Sequence, residues 1–381
     1  MATLAAAVVA ADATVRGEPA PPGVMTHAWL FTGPPGSGRS VAARAFAAAL
    51  QCPRGGCGDC SECHTAIAGT HADVRFVVPE GLSIGVSEMR ALVLRAASVP
   101  TGGRWQVVLI EDADRLTEQA GNALLKAIEE PSPRTVFLLC TPSTHPDDVS
   151  VTIRSRCRPI TLRTPSSEAI AAMLARRDGL DGASAAWAAA AAQGHVGRAR
   201  RLARDPEARA RREAVLAIPK RLGGISASFD AASALIEAAE SEAAGAVSDM
   251  DTRERVELET ALGAGGTGKG VAAAVRGGAG ALRDLERRQR SRATRVQRDA
   301  LDRALVDLAG FYRDVLVCRF DAGVPPVHGD KIDDAAAAAS RWTAESALRR
   351  LEAVLACREA IEANVKPRIA VEAMMLTLWR G

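Results

Sequence analysis

Aromatic residues are scarce, 3% of 381 residues, with a single tyrosine. Cores must therefore be built from Ala, Val, Leu and Ile, and alanine-rich segments favour helix over sheet. A mixed α/β chain with much helix is expected. Lysine is also short: only Lys126, Lys220, Lys269, Lys331 and Lys366 stand among 48 basic residues. Arginine supplies the rest, beside abundant Ala, Gly and Pro, the bias that a GC-rich genome imposes through its codons. One surface arginine thus carries less functional information here than usual. An excess of charge is missing as well, since the formal net charge is +3, too small by itself to argue for a nucleic-acid binder. No apolar run approaches the ~18–20 residues of a membrane span. The opening stretch from Ala2 to Ala11 has no basic flank and runs into Asp12, unlike a secretion signal. The expected location is cytoplasmic, with no membrane partner.

With 48% hydrophobic and 24% charged residues, the chain has the balance of a folded globular protein. Its length suits two or three domains. Four of the eight cysteines fall within twelve residues, Cys52, Cys57, Cys60 and Cys63, spaced C-x4-C-x2-C-x2-C in QCPRGGCGDCSECH. Disulfides are rare in reducing compartments, so the cluster reads as a zinc site. The short spacings let four soft donors converge, and Gly55, Gly56 and Gly58 permit the tight turns. An iron–sulfur cluster and a redox thiol pair are the competing readings, and His64 is an alternative fourth ligand. Four protein ligands leave no open position for water, so the metal is expected to be structural. Cys140, Cys157, Cys318 and Cys357 are isolated and read as small buried residues.

Just upstream, HAWLFTGPPGSGRS runs from an apolar strand (Ala28 to Thr32) through a glycine-rich turn into an alanine-rich helix (Val41 to Leu50). Gly33, Gly36, Ser37, Gly38, Arg39 and Ser40 fit the phosphate-binding loop G-x4-G-x-[ST], with Arg39 in place of lysine. Backbone amides and a helix N-terminus would converge on phosphate oxygens, and the Ser40 hydroxyl would hold Mg²⁺. Arginine keeps the charge but is longer and planar, so ATP with Mg²⁺ is left open as a cofactor and efficient hydrolysis is not expected. A purely structural Gly-Pro turn is the bland alternative. The segment GAGGTGKG at 263–270 mimics the loop, but no strand launches it and Gly270 replaces the hydroxyl residue. It reads as a flexible connection between helices.

A buried strand, Val107 to Ile110, ends in Glu111, Asp112 and Asp114. In P-loop ATPases a strand-end Asp holds Mg²⁺ and the next Glu orients water; here the order is inverted. An amphipathic helix follows from Leu116 to Glu130, ended by Pro131, and then a strand from Thr135 to Cys140. This alternation implies a parallel sheet with helices on both faces.

The segments NALLKAIEEP, FLLCT and TIRSRC, the four-cysteine insert after the loop, and the ending IEANVKPRIAVEAMML together resemble the AAA+ subunits of the bacterial DNA polymerase III clamp loader. The resemblance runs from about residue 27 to the C-terminus and is weakest between 205 and 355. The arginine-rich composition adds an actinobacterium-like source. Within the family the altered loop and inverted acids resemble a non-motor subunit rather than the gamma/tau motor. The resemblance implies an α/β AAA+ P-loop domain over 1–163 with a zinc module at 50–65, a helical lid over 164–206 and an all-α collar over 207–381. It implies a pentameric ring with gamma/tau and delta subunits that loads the β sliding clamp onto primed DNA. Arg156 matches the arginine finger that acts in a neighbour's site; pairing with a local carboxylate is the alternative. Thr141 falls at the polar position near the γ-phosphate. Arg198 lies one residue from the position of a second sensing arginine. The basic run from Arg283 to Arg298 includes Asp284 and Glu286, lacks aromatic interleaving, and reads as a solvated helix face rather than a DNA contact. The rival functions are an active ATPase motor and a zinc-dependent nucleic-acid-binding protein.

Overall fold

The computed structural model describes residues 2–102, 104–262 and 271–381, and the 263–270 segment singled out above lies outside them. Two compact units form, Met1–Ser166 with Gly194–Val196, and Ser167–Gln193 with Gly197–Gly381.

The first unit contains α1 (Ala2–Arg16), β1 (Ala28–Thr32), α2 (Arg39–Gln51), α3 (Ser61–Ala68), β2 (Val74–Val77), α4 (Val86–Ala96), β3 (Gln106–Ile110), α5 (Glu118–Glu129), β4 (Thr135–Thr141), α6 (Val151–Arg156) and β5 (Arg158–Thr161). Its sheet is parallel with the order β2-β3-β4-β1-β5. The central strands β3, β4 and β1 are buried along their whole length, which their unbroken apolar runs anticipate. Alternate residues feed two cores. Trp29, Phe31, Val107, Leu109, Val136 and Leu138 meet α1 and α2, while Leu30, Val108, Ile110, Phe137 and Leu139 meet α4, α5 and α6. Trp29 stacks edge-on with Phe46 at 5.1 Å, one of the few aromatic pairs this composition allows. The edge strands β2 and β5 have no such run. They are short and partly exposed, so nothing in their periodicity marks them as strands.

The second unit is helical: α7 (Ser167–Asp178), α8 (Gly182–Ala191), α9 (Val196–Arg204), α10 (Pro206–Leu216), α11 (Ile218–Arg221), α12 (Ile225–Ala261), α13 (Val271–Phe320), α14 (Ile332–Arg341), α15 (Ala344–Glu362) and α16 (Pro367–Arg380). Asp205 caps α10, its carboxylate accepting from the Glu207 amide at 2.9 Å, and Pro206 opens the helix. Leu301, Leu305, Leu308, Tyr312 and Val315 recur at three- and four-residue intervals on α13 and pack against Leu235, Val354 and Met375. The basic run on α13 is partnered from within: Arg292 pairs with Asp251 at 2.9 Å and Glu254 at 2.5 Å, and Arg298 donates to the Asn364 side chain at 2.9 Å. No described helix is long and apolar enough to cross a membrane.

Tyr312 is completely buried, and its hydroxyl has no hydrogen-bond partner among the described residues. Burial pushes its ionisation well above the ordinary range. An unsatisfied buried hydroxyl costs stability, so Tyr312→Phe is expected to raise unfolding free energy by about 1 kcal/mol, measured as a later urea midpoint at unchanged m-value; an earlier midpoint would show that the hydroxyl is satisfied.

Candidate nucleotide site and cysteine centre

The loop between β1 and α2 takes the shape its glycines permit. Gly38 sits at the N-terminus of α2 with φ 88° and Gly36 has φ 85°, a left-handed region costly for other residues. Gly36 is also crowded: a Cβ there would lie 2.5 Å from the Cα of His195. Two polar atoms in this loop, Ser37 Oγ and Arg39 Nη1, are buried without a hydrogen-bond partner among the described residues. Such orphaned donors, beside the exposed amides of a helix start, suit an anion. Burial pushes the nearby Cys140 thiol up to about 12, as expected for a small buried residue.

The acids at the end of β3 are already engaged. Glu111 accepts two hydrogen bonds from Arg44 of α2, at 2.8 and 3.0 Å, and the same guanidinium lies 4.4 Å over the Phe76 ring. Asp112 adopts φ 49° and stands 3.9 Å from Arg39. Asp114 is half-buried, and desolvation, with Asp112 beside it, raises its carboxyl above the usual range. Thr141, at the end of β4, is fully buried and its hydroxyl donates to the Ser143 carbonyl at 2.8 Å. That bond makes a local turn, and Thr141 needs no ligand to be satisfied.

Arg156 closes α6 on the surface. Its Nε is 2.7 Å from Glu129 Oε1 of α5, and its Nη1 donates to the Thr152 carbonyl and the Ser155 hydroxyl at 3.1 and 3.2 Å. Both members of the ion pair are about 40% exposed (39% and 44%), so the pairing is worth little, ~0–1 kcal/mol. Arg198 is different. It lies on α9 in the second unit and forms a buried ion pair with Asp307.

The four cysteines gather as their spacing demands. Their sulfurs lie within 4.8 Å of one another, with Cys52 3.6 Å from Cys57 and 3.7 Å from Cys60. A tetrahedral zinc with Zn–S bonds of ~2.3 Å has S···S edges of roughly 3.8 Å, so the donor set fits that ion. His64 is exposed and outside the cluster. Burial tends to raise the Cys52 thiol, but amides of Cys57, Gly56 and Arg54 outweigh it and bring it down to about 6, whereas burial holds Cys63 up to about 12. The centre also orders α3, because the Cys60 sulfur accepts from the Cys63 amide at its N-terminus.

Residues 20–166 match a family model described as DNA polymerase III, delta subunit. The DNA polymerase III subunit delta' of Pseudomonas aeruginosa is 41% identical over 157 residues, 39% of this chain and 47% of that protein. Its Bacillus subtilis counterpart is 33% identical over 157 residues, 40% of this chain and 47% of that one. The tau subunit of the same organism is 33% identical over 150 residues, 38% of this chain and 26% of its own length. Residues 20–166 of the first unit are thus similar to clamp-loader delta-prime subunits. The chain spans about half the length of the delta-prime relatives it matches.

Within this delta-prime-like module the sequence pointed to the loop, the strand-end acids and Arg156, and the fold brings the first two together at the carboxyl edge of the sheet. It did not point to Arg44, Glu129 or His195. Arg44 sits one helical turn after Ser40 and faces the sheet edge, a signal readable from helix periodicity once the loop is placed. Gly36→Ala is expected to destabilise the chain by about 2 kcal/mol or more, since left-handed backbone and the His195 contact both oppose a Cβ; a thermal midpoint equal to wild type would show that the loop relaxes freely.

Proposed function

We propose that this chain is a delta-prime subunit of a bacterial DNA polymerase III clamp loader, a platform in a five-membered ring with gamma/tau and delta subunits that places the β sliding clamp on primed DNA. One contrast carries the reading. Glu111 and Asp112, where hydrolysis would be organised, face Arg44 and Arg39, while Arg156 stands exposed at the end of α6, held by a weak surface pair. A loosely held guanidinium can be given up to a γ-phosphate bound by a neighbouring subunit, where it would stabilise transition-state charge. The carboxylate pairing weighed as the alternative for Arg156 is present, and its weakness makes it compatible with this role.

The orphaned donors Ser37 Oγ and Arg39 Nη1 support retention of a nucleotide phosphate on this chain's own loop. Gly33, Gly36 and Gly38 would let the backbone approach it, with Ser40 beside the Mg²⁺ that accompanies ATP. A bound nucleotide would be turned over poorly, because releasing Glu111 requires breaking a two-point contact with Arg44. Arg198 would have to leave Asp307 before it could sense a nucleotide. Zinc held by Cys52, Cys57, Cys60 and Cys63 would cross-link the turn after α2; with its coordination complete it supplies no catalysis.

The similarity to tau favours one rival, an active motor subunit. Reconstitution decides between them. With Arg156→Ala, rings are expected to assemble normally but to lose clamp loading by about 10³-fold, the scale of an arginine finger, and unchanged loading would remove the trans-acting role. The chain alone, with primed DNA and clamp, is expected to show no ATP turnover above background; robust turnover supports the motor. A further prediction concerns the metal. The purified chain should carry one zinc, lost in Cys57→Ser and lost progressively from wild type as pH falls, since protons compete for the thiolates; atomic emission on dialysed samples reads both outcomes.

A further inference from the structure

Helix α9 is nine residues long, has only Ala199 and Leu202 buried, and carries four arginines, Arg198, Arg200, Arg201 and Arg204. So little apolar burial gives a short helix no firm seat. Its arginines fall in two rows. Arg200 and Arg204, four apart, both reach Asp178 of α7, at 2.6 and 2.8 Å, and that carboxylate is 2% exposed. Arg198 and Arg201, three apart, lie on a different side of the helix and reach the long helices instead. Arg198 pairs with Asp307 of α13, their side chains 9% and 5% exposed, and Arg201 reaches Glu242 of α12 at 2.5 Å. Glu242 gathers two more guanidiniums, Arg303 of α13 at 2.6 Å and Arg211 of α10 at 3.3 Å. Though burial opposes its charge, the surrounding arginines hold its carboxyl below the usual carboxylate range.

We propose that α9 is an arginine rivet, and that Glu242 and Asp307 are the positioning residues through which it fastens the lid-like helices α7–α9 to the long helices α12 and α13. The second unit then behaves as one stiff body. In an ATPase with a mobile lid, an arginine near the start of such a helix would be drawn to nucleotide; here Arg198 is drawn to a carboxylate of its own unit, and the lid is tied down whatever occupies the loop. This gives the platform reading its mechanical basis and rests on that reading for its meaning, but the contacts and their test concern the isolated chain.

Amide hydrogen exchange of the full-length chain, followed by mass spectrometry, tests it. Arg201→Met removes the arm from α9 to Glu242, together with a long 3.5 Å contact to Asp205, and leaves Glu242 with Arg211 and Arg303. Exchange in α7–α9 is expected to quicken by about tenfold or more, with α12–α16 unchanged. Arg303→Met, which removes an arm internal to the long helices, should leave α7–α9 protected. The paired variant Arg198→Gln with Asp307→Asn removes both buried charges together, leaving neither unpaired, and should quicken α7–α9 as Arg201→Met does. Unchanged exchange in α7–α9 in both Arg201→Met and the paired variant overturns the rivet, as does a uniform rise across α7–α16, which signals mere loss of stability. Clamp loading with Arg156→Ala is read separately, so failure of the finger and failure of the rivet are distinguishable.

Discussion

Burial of the three central strands on both faces is the constraint on which the first unit depends. β3, β4 and β1 carry amide or hydroxyl side chains only at their ends, Gln106, Thr32, Thr135 and Thr141, so chemistry is confined to the loops at their carboxyl ends, the general location of ligand sites in open parallel sheets. The glycine loop, the acids after Ile110 and Thr141 arrive at one edge for that reason. With so few aromatics, the helices pack through alanine: Ala43, Ala47 and Ala48 of α2 are nearly or wholly buried, which lets α2 lie close to the sheet and hold Arg39 and Arg44 near the acids.

Arginine then determines what the edge can do. The guanidinium is planar, always charged and able to hold a carboxylate through two nitrogens. Arg44 does this to Glu111, and Arg39 stands close to Asp112. The same chemistry recurs in the helical unit, where buried or half-buried pairs at Asp307 and Glu242 link helices distant in sequence and Arg212 of α10 holds Asp330, just ahead of α14. Removing one partner of such a pair is far more damaging than losing a surface bridge, because a charge is left without compensation in a low-dielectric setting. Arg156 belongs to the other class. Its bond to Glu129 is exposed and readily exchanged, the property a residue needs if it is to serve a partner.

The composition bias misled in one respect. Abundant arginine argued for discounting any single one, yet Arg44, Arg198, Arg201 and Arg212 are structural members with defined carboxylates. Sequence spacing alone does not reveal this, since Arg44 and Glu111 are 67 positions apart and Arg198 and Asp307 are 109 apart. The long strands and the amphipathic helices were legible because hydrophobic periodicity is local. β2 and β5 were not, since a short edge strand is made by its neighbour's hydrogen bonds rather than by its own pattern.

Residue order by itself determined the glycine loop, the four-cysteine turn, the inverted acids and the parallel α/β plan, all of which depend on chemistry within a few residues or on a repeating apolar period. Only tertiary structure decided which acids are taken by which arginines, that Arg156 is held lightly while Arg198 is held firmly, and that α9 is fastened to the long helices. Those outcomes depend on distances between segments far apart in the chain, and such distances exist only once the cores have closed.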